Sequence, residues 1–234
     1  MARDEGGTGA GSGPGAAAAE RGALAVAVCA ALEASVAGSH AALLGSLARG
    51  VADAYSDIDV LWVVPDAGFG AAVTPDRVRA VLGRLRPVDD LRIDPDHRHS
   101  DRRRLLFVRF AGVPLFWRLD LSVRAASVAH DATYDDGNPD ARAGEDEWSR
   151  PASALANATG AVKAVARRRL DDARGLLDRG FARIGEPDRA TGDWHADISR
   201  LARAAAERDP SLAALADQVV ALAAVELAPR GQVD

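Results

Sequence analysis

Cysteine and lysine are almost missing from this sequence of 234 residues: Cys29 and Lys163 are the only ones. A single cysteine excludes a disulfide framework and a cysteine-based zinc site, and it fits a cytosolic setting. Arginine supplies nearly all the positive charge, yet the formal net charge is −5. This balance argues against a broad nucleic-acid-binding surface, because such a surface works by neutralising phosphates. A local basic cleft is still compatible with it.

A secretory signal is also poorly supported. Residues 23–32 form an apolar run after a basic residue, but Glu33 follows the run at once. No small residue precedes Cys29, as a lipid-attachment site would require. We therefore expect residues 17–36 to form an alanine-rich helix that ends at Gly38 and packs beside the first strand. The predicted location is cytoplasmic.

The N-terminal segment, residues 1–20, is rich in glycine, alanine and serine. Its low complexity predicts a disordered tail. The stretch GTGAGSGPG within it looks like a phosphate-binding loop, but no strand precedes it. We therefore give it no role.

The most informative stretch is Leu44–Val64, which reads LGSLARGVADAYSDIDVLWVV. Its last part is β-branched and apolar, which predicts a buried strand. Asp57 and Asp59 would then point the same way, with Cα atoms about 6.5–7 Å apart. Nothing in the local sequence neutralises these two carboxylates, whereas divalent cations would. Bridging carboxylates hold Mg²⁺ pairs roughly 3.5–4 Å apart in sites that exchange one phosphate oxygen for another.

A Gly-Ser pair precedes these acids. Residues 40–44 predict a short strand, Gly45 permits close approach of a ligand to the backbone, and Ser46 starts a helical turn whose N–H groups suit a phosphate. Arg49 lies one turn further on. It could contact a bound phosphate group or pair with Asp53 at the surface, and the sequence favours neither.

A third acid lies further along the chain. Residues 105–110 and 115–123 predict a β-hairpin. In its second arm Asp120 is the only acid, on the same face as Arg118 and Ser122. A buried carboxylate needs a partner, and a strand spacing of about 4.8 Å would bring it within reach of the ions at the first acid pair. The alternative is an edge-strand aspartate without a role.

The Gly45-Ser46 pair, followed after about ten residues by Asp57-x-Asp59 on a strand, resembles the signature of the DNA polymerase β-like nucleotidyltransferases. The small bacterial antibiotic nucleotidyltransferases of the kanamycin and lincosamide type are the nearest in character. The family also requires a third carboxylate on a neighbouring strand, and Asp120 fills that position. The resemblance covers residues 40–123 closely and is only architectural beyond them.

The resemblance implies an α+β fold. A nucleotidyltransferase catalytic domain, with a small mixed β-sheet flanked by helices, would span residues 21–125. A polar linker would follow at 126–150, and an all-α helical-bundle domain at 151–230. In that last part the pattern predicts four amphipathic helices, at 154–170, 171–180, 193–208 and 211–227.

The implied activity is transfer of a nucleoside monophosphate, most simply AMP from ATP, to a hydroxyl group, with release of pyrophosphate. Asp57, Asp59 and Asp120 would be the catalytic acids and the ligands of two Mg²⁺ ions. Gly45, Ser46 and Arg49 would bind the nucleoside triphosphate. By resemblance Lys163, within an apolar helical segment, would contact the triphosphate as well, although solvent exposure explains it equally well.

Three functions are compatible with the sequence. The first is modification of a small hydroxyl-bearing molecule, such as an aminoglycoside- or lincosamide-like antibiotic, whose positive charge the acidic stretch at 131–147 would suit. The second is a protein adenylyltransferase that acts as the antitoxin of a toxin–antitoxin pair, and the third is a nucleotide-binding module without catalysis.

Glu145 and Glu147 are candidates for a separate general base. The sequence does not define an oligomeric state, and neither a membrane nor an extended nucleic acid is an expected partner.

The segment at 94–104 is densely charged and contains His97 and His99. A His-x-His pair can bind metal, but no further ligand type is clearly placed beside it. The sequence favours a solvated loop.

Overall fold

A computed structural model of the chain describes residues 14–228, and residues 1–13 and 229–234 lie outside the described part. The chain divides into two compact units. Residues up to 112 together with 117–141 form the first, and residues 113–116 together with those from 142 onward form the second.

The first unit contains all five strands and the first four helices. The strands are β1 (His40–Leu43), β2 (Ile58–Val64), β3 (Val88–Ile93), β4 (Arg103–Phe110) and β5 (Leu119–Ala125). The helices are α1 (Pro14–Ser35), α2 (Gly45–Ala48), α3 (Phe69–Ala72) and α4 (Pro75–Leu82).

The strands form one mixed sheet in the order β1-β2-β5-β4-β3. β2 and β5 are parallel, and the other neighbouring pairs are antiparallel. The predicted hairpin is present as β4 and β5. Because β2 and β5 are parallel, their first residues lie at the same edge of the sheet.

One face of the sheet is the hydrophobic core of this unit. Burial alternates along β2 and β5, as expected for strands with one apolar and one polar face. The core face carries large, fully buried side chains: Ile58, Val60, Trp62, Leu106, Leu119 and Leu121. α1 packs against β1 and β2, and α4 packs against β3. The acidic residues of the predicted site lie on the opposite face.

Helix α1 is longer than predicted at its N-terminus. It begins at Pro14, so residues 14–20, which we expected to belong to a disordered tail, are helical. Proline at the first helical position and the alanines after it favour this early start. The helix ends before Gly38, whose φ of +76° is the left-handed conformation that glycine tolerates.

By length and composition, the Gly15–Ser35 segment of α1 is the one helix in the described chain that could cross a membrane. In the structure its buried apolar residues, Leu24, Ala25, Val28 and Leu32, recur at helical spacing. Through this stripe the helix packs on the core of the first unit. A cytoplasmic location stays a prediction.

The second unit is helical. Its helices are α5 (Arg150–Ala166), α6 (Leu170–Arg183), α7 (Trp194–Arg208) and α8 (Ala213–Glu226). α5 contacts each of the other three, and a Cβ on Gly180 of α6 would lie only 2.5 Å from Leu201 of α7. The predicted α+β composition, with a mixed sheet followed by a helical region, is therefore confirmed, with helix limits shifted by a few residues.

The solvated loop predicted around the two histidines is wrong for His97. This residue is only 7% exposed, and its Nε2 lies 3.1 Å from Asp136 Oδ1. Arg103 contacts the same carboxylate at 2.6 Å, and Arg104 donates to the carbonyl of His97. The cluster ties this turn to residues 134–136, a contact between distant segments that local polarity does not reveal.

Candidate functional site

The acids predicted from the sequence meet on the polar face of the sheet. Asp59 of β2 and Asp120 of β5 are directly opposite each other in the parallel register. Their backbones are therefore about 4.8 Å apart, and both side chains point to the same face. Asp57 immediately precedes β2 and shares that face by alternation. Asp59 and Asp120 are thus neighbours at one edge of the sheet, and Asp57 lies on the same face beside them.

Arg118 supplies positive charge to this acidic centre. It comes just before β5, two residues from Asp120, so the two side chains share a face. Its Nε and Nη2 donate to Asp120 Oδ1 and Oδ2 at 2.6 and 2.7 Å. Burial lowers the pKa of Arg118, but its hydrogen bonds to Asp120 and the nearby negative charges, Asp57 and Asp59 included, outweigh that effect and raise the pKa.

Arg118 was expected to share a face with Asp120, but no role was predicted for it. The spacing Arg-x-Asp on one strand was the available signal, since residues two apart on a strand are neighbours on the same face. Arg118, through this bidentate contact, is the partner that the half-buried carboxylate of Asp120 requires.

Gly45 lies against the acidic centre. Its φ is +60°, and a Cβ added at this position would lie 2.1 Å from Asp59 Oδ2. The neighbouring Leu44 N–H donates to the carbonyl of Asp59 at 2.8 Å. Only glycine fits here, both because of the left-handed backbone and because of the adjacent carboxylate. The Gly-Ser turn and the first two acids are thus parts of one local structure.

Ser46 belongs to α2, a single turn that begins at Gly45, one residue before the predicted start. Such a short helix has little macrodipole, so any anion affinity here must come from individual N–H groups. Arg49 follows at the C-terminal end of the turn and is exposed. Asp53, its proposed surface partner, accepts hydrogen bonds from Tyr55 N and Ser56 Oγ.

The loop that leads into Asp57 is held by a residue that sequence reasoning missed. Arg21 of α1 is only 2% exposed, and its Nη1 donates to the carbonyls of Asp53 and Ser56 at 2.7 and 3.0 Å. Burial lowers the pKa of Arg21, and the charges of Asp53 and Asp57 oppose that shift. No sequence pattern links residues so far apart.

The carboxylate oxygens of Asp57, Asp59 and Asp120 suit a magnesium ion, which prefers such ligands. Within residues 14–228, however, no group of three or more His, Cys, Asp or Glu side chains is arranged to hold a metal. The engagement of both Asp120 oxygens by Arg118 is consistent with this result. A cation bound by all three acids would compete with Arg118 for the lone pairs of Asp120.

Three further candidates lie in the helical unit. Lys163 of α5 is half-buried, with Nζ 5.9 Å from the centre of the Phe116 ring. Glu145 pairs with Arg150 at 2.5 Å, and Glu147 accepts a hydrogen bond from Gly144 N. Both glutamates thus have local structural partners, and their proposed role as general base stays a prediction, as does the contact of Lys163 with a triphosphate.

The acidic stretch at 131–147 is occupied by contacts within the chain. Hydrogen bonds from Thr133 lower the pKa of Asp131. Those from Ser100 and Asn138 lower the pKa of Asp135, and that from Arg103 lowers the pKa of Asp136. These three carboxylates hold the stretch in place, and its role as a surface for a cationic ligand stays a prediction.

Comparison with protein-family models finds no match to this chain, and comparison with curated protein sequences finds none either. A proposal for the function of this protein therefore rests on the residues of the site and their geometry.

Proposed function

We propose that this protein is a magnesium-dependent nucleotidyltransferase that moves a nucleoside monophosphate, most simply AMP from ATP, to a hydroxyl group of a small molecule. The observation that supports this most directly is the register of the two parallel strands, which sets Asp59 opposite Asp120. The contact between Gly45 and Asp59 adds a backbone turn suited to phosphate at the same point.

The proposed reaction is an in-line displacement at the α-phosphorus. The acceptor oxygen forms a new bond to that phosphorus, and the bond to the bridging oxygen of the β-phosphate breaks. Pyrophosphate leaves with the electron pair, and Asp120 takes the hydroxyl proton and passes it to solvent. Ser46 and the N–H groups of its turn hold the terminal phosphates, so the leaving group is oriented before the attack.

Asp57, Asp59 and Asp120 are the residues that would hold Mg²⁺. When bound, the metal would neutralise charge on the transferred phosphoryl group and lower the pKa of the acceptor hydroxyl. Arg118 would be released from Asp120 at that stage. Its guanidinium would then be close enough to the centre to balance the charge of the phosphates.

The test is incubation with α-labelled ATP, Mg²⁺ and a panel of hydroxylated small molecules, and in parallel with cell protein. Label in a small product supports the proposal, and label in a protein band supports the protein-modifying alternative. Asp59→Asn should abolish transfer while the fold is retained. Asp76→Asn, the same change at an exposed acid of α4, is the matched control and should leave transfer unchanged. Retained transfer in Asp59→Asn would overturn the proposal.

A further inference from the structure

The polar face of the sheet carries a straight row of four side chains, one from each of four adjacent strands. Asp59 of β2 is opposite Asp120 of β5, Asp120 is opposite Phe107 of β4, and Phe107 is opposite Arg92 of β3. Each step is one strand spacing, about 4.8 Å. The row therefore runs from two carboxylates through an aromatic ring to a guanidinium.

The two ends of this row differ in chemistry. Gly45, next to Asp59, marks the β1 end, where the proposed function places the phosphates. In-line displacement puts the leaving group and the attacking oxygen on opposite sides of the phosphorus. The acceptor should therefore approach from the other end, over Phe107 and Arg92. This reasoning rests on the proposed function for its direction, whereas the row itself is a property of the fold.

Phe107 is flanked by two cations. The guanidinium carbon of Arg118 lies 4.7 Å from the ring centre, and that of Arg92 lies 5.6 Å from it. Both distances are within the range of a cation–π contact. The two guanidiniums cover part of the ring, and Phe107 remains partly exposed. A flat or partly apolar part of a ligand can pack against the exposed part, while the neighbouring guanidiniums offer donors to an anionic group.

Arg92 is the cation at the end of the row, and its side chain is 24% exposed. Burial lowers its pKa, and the positive charges of Arg118 and Arg109 lower it further, against the opposing charges of Asp90 and Asp120. The closest approach of Asp90 to Arg92 is 3.5 Å, which is longer than a strong hydrogen bond. The planar guanidinium carries five N–H donors, so it has capacity for another acceptor. An anion would relieve the repulsion among the arginines.

We propose that the acceptor is an anionic small molecule, with a carboxylate or phosphate group bound by Arg92 and its body resting on Phe107. Its reactive hydroxyl would then lie at Asp120, roughly 10 Å, or two strand spacings, from the anionic group. This names the substrate class of the proposed transferase and differs from the cationic antibiotic expected from the acidic stretch at 131–147. The intramolecular contacts of Asp131, Asp135 and Asp136 agree with this change.

The test measures binding alone, in EDTA and without nucleotide, by ligand-observed NMR titration. The probes are phenyl phosphate, benzyl alcohol and benzylamine, which share a ring and differ in charge. Wild-type protein should bind phenyl phosphate saturably and more tightly than the other two. Arg92→Met should weaken that binding about tenfold, because one charge-assisted contact is lost. Arg86→Met removes an arginine that pairs with Glu20 at the surface and should leave binding unchanged.

Arg92→Gln, which keeps hydrogen-bonding capacity but no charge, serves as a second variant if the methionine variant is unstable. Phenyl phosphate binding that is absent in wild type, or equal in wild type and the Arg92 variants, would overturn the inference, as would tighter binding of benzylamine. Because no transfer is measured, this result is independent of the Asp59→Asn assay. A failed binding test leaves the transferase proposal standing, and a failed transfer assay leaves the anion site standing.

Discussion

Arg118 donates hydrogen bonds to both carboxylate oxygens of Asp120, at 2.6 and 2.7 Å. The same guanidinium lies over Phe107 and is influenced by the charges of Asp57 and Asp59. The protein thus carries its own cation at the point where three acids converge. A divalent ion that binds there competes with this arginine for Asp120.

Substitution of Arg118 should therefore separate stability from metal affinity. In EDTA, Arg118→Met should lower the free energy of unfolding by about 2 kcal/mol, less than for a fully buried pair because both side chains keep some exposure. At the same time Mn²⁺ should bind about tenfold more tightly, since its competitor is gone. Urea denaturation and Mn²⁺ titration measure the two effects.

Arg109→Met is the control for this experiment, because Arg109 forms a comparable ion pair with Asp89 outside the centre. It should leave Mn²⁺ affinity unchanged. Weaker Mn²⁺ binding in Arg118→Met would show that Arg118 organises the acids for the metal and does not compete with it.

Gly45 should tolerate no side chain. Gly45→Ala places a methyl group where Asp59 Oδ2 now lies and forces alanine into a left-handed conformation, which costs about 1–2 kcal/mol per residue. We expect a loss of stability of at least about 1 kcal/mol and loss of nucleotide binding. Gly50→Ala, at a φ of +69° with nothing within 4 Å of its Cβ, carries the same backbone penalty alone. Equal nucleotide binding by both variants would contradict the assigned contact.

Arg21 should position Asp57 through the loop that it anchors. Arg21→Met leaves the carbonyls of Asp53 and Ser56 without this donor and should cost about 3 kcal/mol, as expected for two hydrogen bonds from a buried charged group. Mn²⁺ affinity should also fall, because Asp57 follows the loop directly. Arg49→Met, at an exposed arginine, should leave stability unchanged. An unchanged Mn²⁺ affinity in a folded Arg21→Met would refute the positioning role.

Asp94 should make the protein less stable as the pH rises. Burial raises the pKa of this carboxyl above 3.8, so its contribution to stability is complete below that pH and is lost as the pH rises through the folded-state pKa. Asp94→Asn keeps an oxygen for the hydrogen bond from Asp96 N and stays neutral. It should be more stable than wild type at pH 7, and the difference should vanish near pH 3. Urea denaturation at both values tests this.

Local pattern predicted much of the fold. The alternation around Asp120 predicted the β5 strand and its polar face. The extent of α1 was underestimated, because the low complexity of residues 1–20 outweighed the helix propensity of the alanines. His97 was misplaced, because its partner Asp136 is distant in the chain.

The sequence by itself determined which chemical groups are present and on which face of each strand they point, since side-chain alternation is a local property of the backbone. Only the tertiary structure decided that β2 and β5 pair in parallel with Asp59 opposite Asp120. It also decided that Phe107 and Arg92 continue that row, and that Arg21 reaches the loop before Asp57. The reason is that strand register and helix packing depend on the fit of distant apolar faces, which no local spacing specifies.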